Sequence, residues 1–466
     1  MIAVGQLRGQ IKGHVIEARD PEYDDARKVF VGGVDRRPAL IVRVVDSSDV
    51  AAVIAFARET GLDLAVRSGG HSWSGDCVAD GGIVIDLRDM RAVTIDDAGR
   101  TAWAETGLTA RDYSLATHQR GMATGFGDTG SVGIGGLTLG GGVGYLSRKH
   151  GLTIDNLIAA EIVAANGDIL RADAETNPDL FWAIRGGGGN FGIATRFHFR
   201  LHEVGAVYGG MLMLPATVET IASFVAAAQA APDALTTIAN VIPAPPMPFV
   251  AAEEVGKRVV LAFMVYAGPP QAGELAMAPF RALAKPIADM LRPMPYPEIY
   301  PPDDPSYHPI VASRNLFIDT LEQSAAETIV EHLQASDAKF QATQIRVLGG
   351  AIGRVPSDAT AYAHRARPIM VNVAALYDHP DEAAKNQAWA ENFRQALQSD
   401  DPGAYVNFMS VDWQARMHEA YPHRTWERLA AIKARYDPTN LFRLNQNVPP
   451  APGITNGPNA TGKEMT

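Results

Sequence analysis

Residues 67–75 read Arg67-Ser68-Gly69-Gly70-His71-Ser72-Trp73-Ser74-Gly75, a histidine enclosed by glycine and serine directly after the strand-like run Leu62-Asp63-Leu64-Ala65-Val66. Paired glycines let backbone N–H groups approach an anionic ligand such as a pyrophosphate, and Ser68, Ser72 and Ser74 add hydroxyl donors. A neutral imidazole in such a turn is a competent nucleophile and lies beside whatever the turn holds. Taken alone, a short glycine turn is a common strand ending, and a lone histidine serves more often as a structural donor.

Other clusters repeat the theme. The densest glycine run covers residues 130–144 and includes Gly135, Gly136, Gly140, Gly141, Gly142 and Gly144; another, Gly186-Gly187-Gly188-Gly189-Asn190-Phe191-Gly192, follows Leu180-Phe181-Trp182-Ala183-Ile184. The stretch Gly140-Gly141-Gly142-Val143-Gly144 invites a dinucleotide-fingerprint reading. That reading requires a preceding strand, an immediate helix and an acidic residue about 20 positions on, near the start of a βαβ unit. Here another glycine run precedes it, so NAD binding is not expected. No His, Asp or Glu spacing suggests a metal site, and the single cysteine, Cys77, excludes an intrachain disulfide or a cysteine cluster.

These residues need a scaffold, and the pattern around them supplies one. Residues 38–200 alternate short strand-like runs, such as Ala39-Leu40-Ile41-Val42 and Gly82-Ile83-Val84-Ile85, with helical stretches; residues 47–60 read as a helix capped by Ser47 or Ser48. After residue 204 the glycine clusters stop, and alanine-rich helical segments (217–230, 272–284, 322–335) alternate with β-rich runs such as Arg258-Val259-Val260-Leu261. Residues 424–436 carry a helical period stopped by Asp437-Pro438, and the Gly/Pro/Asn-rich stretch from about 451 reads as a mobile tail. The 466 residues exceed one ordinary hydrophobic core, which predicts two domains. A net charge of −11 without a Lys/Arg run argues against a nucleic-acid partner. Every apolar stretch is too short for a membrane span, and the N-terminus lacks a secretory pattern, so a cytoplasmic location is expected.

In order, the pieces are Arg67-Ser68-Gly69-Gly70-His71, Gly135-Gly136 through Gly144, Gly151-Leu152-Thr153-Ile154-Asp155-Asn156, the 186–192 cluster, and a C-terminal set running from Tyr436-Asp437-Pro438 to Asn445-Gln446-Asn447-Val448. This set resembles the berberine-bridge-enzyme-like branch of the FAD-linked oxidases, in the vanillyl-alcohol oxidase superfamily, and within it the bacterial branch similar to 6-hydroxy-D-nicotine oxidase. The likeness is carried by both chain ends and is loose in the middle. It implies an α+β fold with a two-part FAD-binding domain (1–203 and 412–466) and an inserted substrate domain (204–411) of antiparallel sheet with helices. It also implies that His71 is joined through its imidazole to the flavin 8α-methyl group. Around the FAD it would place Arg67, Ser68, Gly69, Gly70, Ser72, Thr129, Val132, Gly135, Gly136, Gly140, Gly141, Gly142, Gly144, Asn190, Gly192, Ile193, Asn445 and Asn447.

The departures are as informative as the matches. A second attachment cysteine found in many members is Thr129 here, so a single tether through His71 is expected. Val132 corresponds to the oxygen-admitting form of its position, which favours an oxidase that reduces O2 to H2O2 over a dehydrogenase. The tyrosine that serves relatives as base falls on Phe408 in Ala404-Tyr405-Val406-Asn407-Phe408, and phenylalanine accepts no proton. That favours a small-molecule substrate needing no strong base, such as an amine, and leaves Tyr145, Asn407 and Trp73 as pocket candidates. His364 and Arg365 resemble a structural motif at a domain seam. The expected reaction is hydride removal from a C–N or C–O carbon. The alternatives are a dehydrogenase or oxidative cyclase of a biosynthetic pathway and, motivated by Phe408, a flavin-carrying binding protein without turnover. Nothing in the sequence specifies an oligomeric state.

Overall fold

The short β-branched runs before residue 100 pair into a four-stranded sheet in which Leu40–Arg43, Ile83–Asp86 and Leu64–Arg67 are parallel and His14–Glu17 closes one edge antiparallel. The parallel strands are buried along almost their whole length, which is why they read as unbroken apolar runs and not as an alternation. This computed structural model describes residues 4–398, 403–411 and 413–453, so the tail expected from about 451 lies largely outside the described residues. The helix Ser47–Thr60 forms as expected and buries Val50, Val53, Ile54 and Ala57 against the sheet. Its cap is Asp46, not Ser47 or Ser48: the Asp46 carboxylate accepts from the Ser48 and Asp49 amides, and a carboxylate offers the stronger acceptor at a helix N-terminus.

A second sheet is antiparallel, with strands in the order Val93–Asp96, Thr101–Glu105, Ile193–Arg200, Leu157–Val163 and Ile169–Asp173. Phe197 and Phe199 project from it into a core with Tyr113 and Phe126. The middle of the chain forms a large antiparallel sheet whose continuous path runs Ala288–Asp289, Ala206–Pro215, Arg258–Tyr266, Leu235–Pro243, Phe340–Val347, Ile369–Tyr377 and Ile310–Ile318. Helices Val218–Ala230, Pro270–Arg281, Gln323–Ala335 and Ala383–Leu397 pack on one face through Phe224, Phe280, Ile329 and Phe393. With helices burying that face, alternate residues of the same strands are free to line a cavity on the other.

The C-terminal helix His423–Tyr436 returns the chain to its first part. Lys433, fully buried, donates to the carbonyls of Asn190 and Phe442 and to Asp437 at 2.7, 2.8 and 2.7 Å, while Asp437 accepts from the Leu441 and Phe442 amides. A buried ammonium is tolerated only when paired and hydrogen-bonded in this way. Among the described residues no helix is long and apolar enough to cross a membrane.

Candidate active site

The strand Leu64–Arg67 ends in the histidine turn, and the turn is held by very close backbone packing. A Cβ on Gly69 would lie 2.2 Å from the Gly133 nitrogen, and one on Gly133 would lie 2.1 Å from the Ser68 hydroxyl. Gly70 adopts φ +76, a left-handed conformation that glycine adopts without steric cost. The turn delivers His71 to the wall of a cavity of about 490 Å3 that opens between the glycine-rich segments and the large sheet. There the imidazole stacks on Phe30, with ring centroids 4.3 Å apart, and Trp73 meets the same phenyl ring edge-on at 6.5 Å. Burial pushes the His71 pKa down to about 4, against the opposing pull of Asp303 and Asp128, so the ring is neutral at neutral pH with a lone pair available.

Of the residues expected around a flavin, Ser68, Gly69, Gly70, Ser72, Thr129, Val132, Gly135, Gly136, Gly192, Ile193 and Asn445 line this cavity, as do the pocket candidates Trp73 and Asn407. Others do different work. Arg67 is turned into the protein, where it makes a buried 2.6 Å ion pair with Asp86 and donates to the Lys28 carbonyl, so its guanidinium is not available to a ligand. The Ser68 hydroxyl is likewise engaged, donating to the Thr106 carbonyl and accepting from the Gly135 amide. Gly140, Gly141, Gly142 and Gly144 are packing glycines: added Cβ atoms would meet Asn407 Oδ1 at 2.0 Å, the rings of Tyr362 and Tyr405 at 3.2 Å, Thr153 Oγ1 at 2.0 Å and the Phe126 carbonyl at 1.5 Å. Asn190 clips the two ends of the chain together, donating to the Gly187 and Gln446 carbonyls and accepting from the Val448 amide. Tyr145 is buried off the cavity wall, edge-on to Tyr300 at 6.4 Å, and burial pushes its phenol far above the ordinary value.

Opposite the glycine wall stands the large sheet. Asn240, Gln344 and Asn372 are directly opposed across neighbouring strands, and Ala342, Arg346 and Ala374 share their face. The Arg346 guanidinium carbon lies 4.9 Å from the centroid of the Phe408 ring, and its Nη2 pairs with Asp128 at 2.6 Å. None of Asp128, Asn240, Gln344, Arg346 or Asn372 belongs to a local motif. For the four strand residues the signal is a polar residue at alternate strand positions; Asp128, in a loop, has none. Tyr405 also reaches the cavity, and its phenol oxygen accepts from the Gly142 amide and Asn407 Nδ2, both at 2.9 Å. Burial raises its pKa in spite of those donors.

The cavity suits an FAD. A Cβ on Gly136 would meet nothing within 4 Å, so this glycine keeps open a volume that any side chain would occupy. The Asn445 side-chain oxygen on the cavity wall is buried without a hydrogen-bond partner among the described residues, although such acceptors are normally satisfied; Asn447, expected at the flavin, is not among the residues that line the cavity. A volume of this size, largely apolar with a few placed polar groups, is that of a small-molecule or cofactor cleft.

Comparison with known proteins places the chain in a class. A family model described as FAD binding domain matches residues 38–173, and one described as Berberine and berberine like matches residues 404–449. The chain belongs to the berberine-bridge-enzyme-like family of FAD-linked oxidoreductases and is an FAD-dependent oxidoreductase enzyme. Among its relatives, an FAD-linked oxidoreductase of Bacillus subtilis is 33% identical over 95% of this chain and 99% of its own length, and (R)-6-hydroxynicotine oxidase of Paenarthrobacter nicotinovorans is 30% identical over 94% and 97%. The crystal structure of 6-hydroxy-D-nicotine oxidase from Arthrobacter nicotinovorans superposes with a TM-score of 0.81 at 28% identity, covering 94% of this chain and 98% of that one. The α+β fold and the FAD cofactor expected from the motifs are therefore those of the family.

Proposed function

We propose that this enzyme is an oxidase that carries FAD covalently on His71 and oxidises a C–N or C–O carbon of a small organic molecule. The observation that carries the reading is the placement of His71: a neutral, nucleophilic imidazole on the cavity wall, stacked on Phe30 at the end of a glycine turn. Relatives named for the oxidation of hydroxynicotine and of xylooligosaccharide support an oxidase of small organic molecules. When bound, FAD supplies two-electron chemistry, taking hydride from the substrate carbon and returning the electrons to O2, which gains two protons to become H2O2.

The protein's own groups do the rest. Thr129 offers no thiol, so His71 is the only tether in this reading. Val132 lies on the cavity wall, and this reading assigns it the entry of O2. Phe408 accepts no proton, which favours an amine whose nitrogen lone pair assists loss of hydride over an alcohol that requires deprotonation. Asn407 and Trp73 orient and enclose the substrate. The proposed division keeps residues 1–203 and 412–466 on the cofactor and 204–411 on the substrate.

The test is to add a panel of amines and alcohols to the enzyme without oxygen and follow the visible flavin absorption, then admit air. Bleaching by an amine, followed by rapid recovery with one H2O2 per flavin, is the expected result. Bleaching with slow recovery would replace the oxidase by a dehydrogenase, and no bleaching by any compound would favour a binding protein.

A further inference from the structure

The polar end of the cavity has an uneven supply of donors and acceptors. Arg346 is almost fully buried and each of its nitrogens already has an acceptor: Nε to Gln344 Oε1 at 3.0 Å, Nη1 to the Val143 carbonyl at 2.9 Å, and Nη2 to Asp128 Oδ2 at 2.6 Å. Gln344 donates in turn to Asn240 Oδ1 at 3.1 Å, and Asn240 to the Leu261 carbonyl at 3.3 Å. Asn407 Nδ2 spends its two hydrogens on the Leu137 carbonyl at 3.0 Å and the Tyr405 phenol at 2.9 Å. At this end of the cavity Asp128 Oδ1 and Asn407 Oδ1 have no hydrogen bond among the described residues, and unlike the Asn372 side-chain oxygen, which is also unpaired, neither is sealed from contact. The Asn372 amide nitrogen and the Tyr405 hydroxyl hydrogen are the neutral donors at this end. The cation of the network is thus almost fully buried with each nitrogen engaged, while its carboxylate keeps an open oxygen. Asp128 side-chain exposure is 23% against 4% for Arg346.

We propose that Asp128 is a specificity-determining residue that, with Asn407 Oδ1, receives the N–H groups of an amine substrate and disfavours carboxylates. The Arg346 pair holds the carboxylate in place, so the pocket presents a fixed acceptor of the kind that discriminates by charge-assisted hydrogen bonding. This inference rests on the oxidase reading above and narrows its substrate to molecules with a donor nitrogen beside the oxidised carbon.

The test is calorimetric titration of the holoenzyme with benzylamine, benzyl alcohol and benzoate as probes. The wild type is expected to bind benzylamine more tightly than benzoate, and Asp128→Asn to weaken benzylamine about tenfold, the scale of one charge-assisted hydrogen bond, with benzyl alcohol changed much less. Arg346→Gln, which removes the compensating cation, is expected to leave the benzylamine preference intact or enlarge it. If Asp128→Asn does not fold, Asp128→Glu must keep the preference. A wild type that binds benzoate as well as benzylamine or fails to bind benzylamine, an unchanged ratio in Asp128→Asn, or loss of preference in Asp128→Glu overturns the proposal. Flavin content and anaerobic bleaching in the same preparations report separately on the oxidase reading, whose failure leaves the binding ratio as an independent measure of what Asp128 selects.

Discussion

On the His71 side of the cavity the wall is made of backbone: Gly69 against Gly133, Gly135 against Ser68, and Gly136 facing open space. On the opposite side the wall is made of side chains, with Asn240, Gln344 and Asn372 in one row across three strands and Arg346 and Ala342 flanking it on the same face. Gly69, Gly133 and Gly135 admit almost no substitution because their atoms are already in contact, and a side chain at Gly136 would enter the cavity. The second is a set of alternate positions on a sheet whose helix-covered face carries the fold, so its residues can change with the substrate. In the function proposed above, the wall that cannot vary holds the cofactor, and the wall that can vary, with Asp128 and Asn407 beside it, faces the substrate.

This contrast can be broken by substitution. Gly69→Ala is expected to have the largest effect, a loss of about 3 kcal/mol of stability, because the new methyl group would meet backbone and not a movable side chain. Thermal unfolding with flavin release checks it, and an unchanged midpoint would show that the glycine wall is looser than its contacts imply. Gln344→Leu on the sheet wall should cost only about 1 kcal/mol, since it removes hydrogen bonds to Arg346 and Asn240 while keeping volume. Its main effect is expected in probe affinity, with flavin content unchanged; loss of flavin there would join the two walls into one function.

The same contrast explains what could be read from sequence. The turn at His71 and the glycine runs are close in sequence to the backbone geometry they serve, so local spacing exposes them, while Asn445 follows only from the family resemblance. Spacing did not separate glycines that face a ligand from glycines that face protein: Gly136 opens the cavity, whereas Gly140, Gly141, Gly142 and Gly144 accommodate Asn407, the Tyr362 and Tyr405 rings, Thr153 and the Phe126 carbonyl. Arg67 shows the same limit, since its place beside the turn hides that its strand neighbour Asp86 claims the side chain. In the middle region the helices Val218–Ala230, Pro270–Arg281 and Gln323–Ala335 and the strand Arg258–Tyr266 are legible from the sequence pattern, whereas the helix Ala383–Leu397 is not among the segments it singled out. The Asn240, Gln344 and Asn372 row was not, because residues far apart in sequence are brought together only by strand order and register.

The central claim is that His71 is the point where the protein holds its flavin. The most direct measurement is acid precipitation of the wild type and of His71→Ala, followed by in-gel fluorescence of the denatured chains. Yellow, fluorescent wild-type protein beside a colourless His71→Ala band is the expected result; a colourless wild type, or flavin retained by His71→Ala after denaturation, would contradict the account.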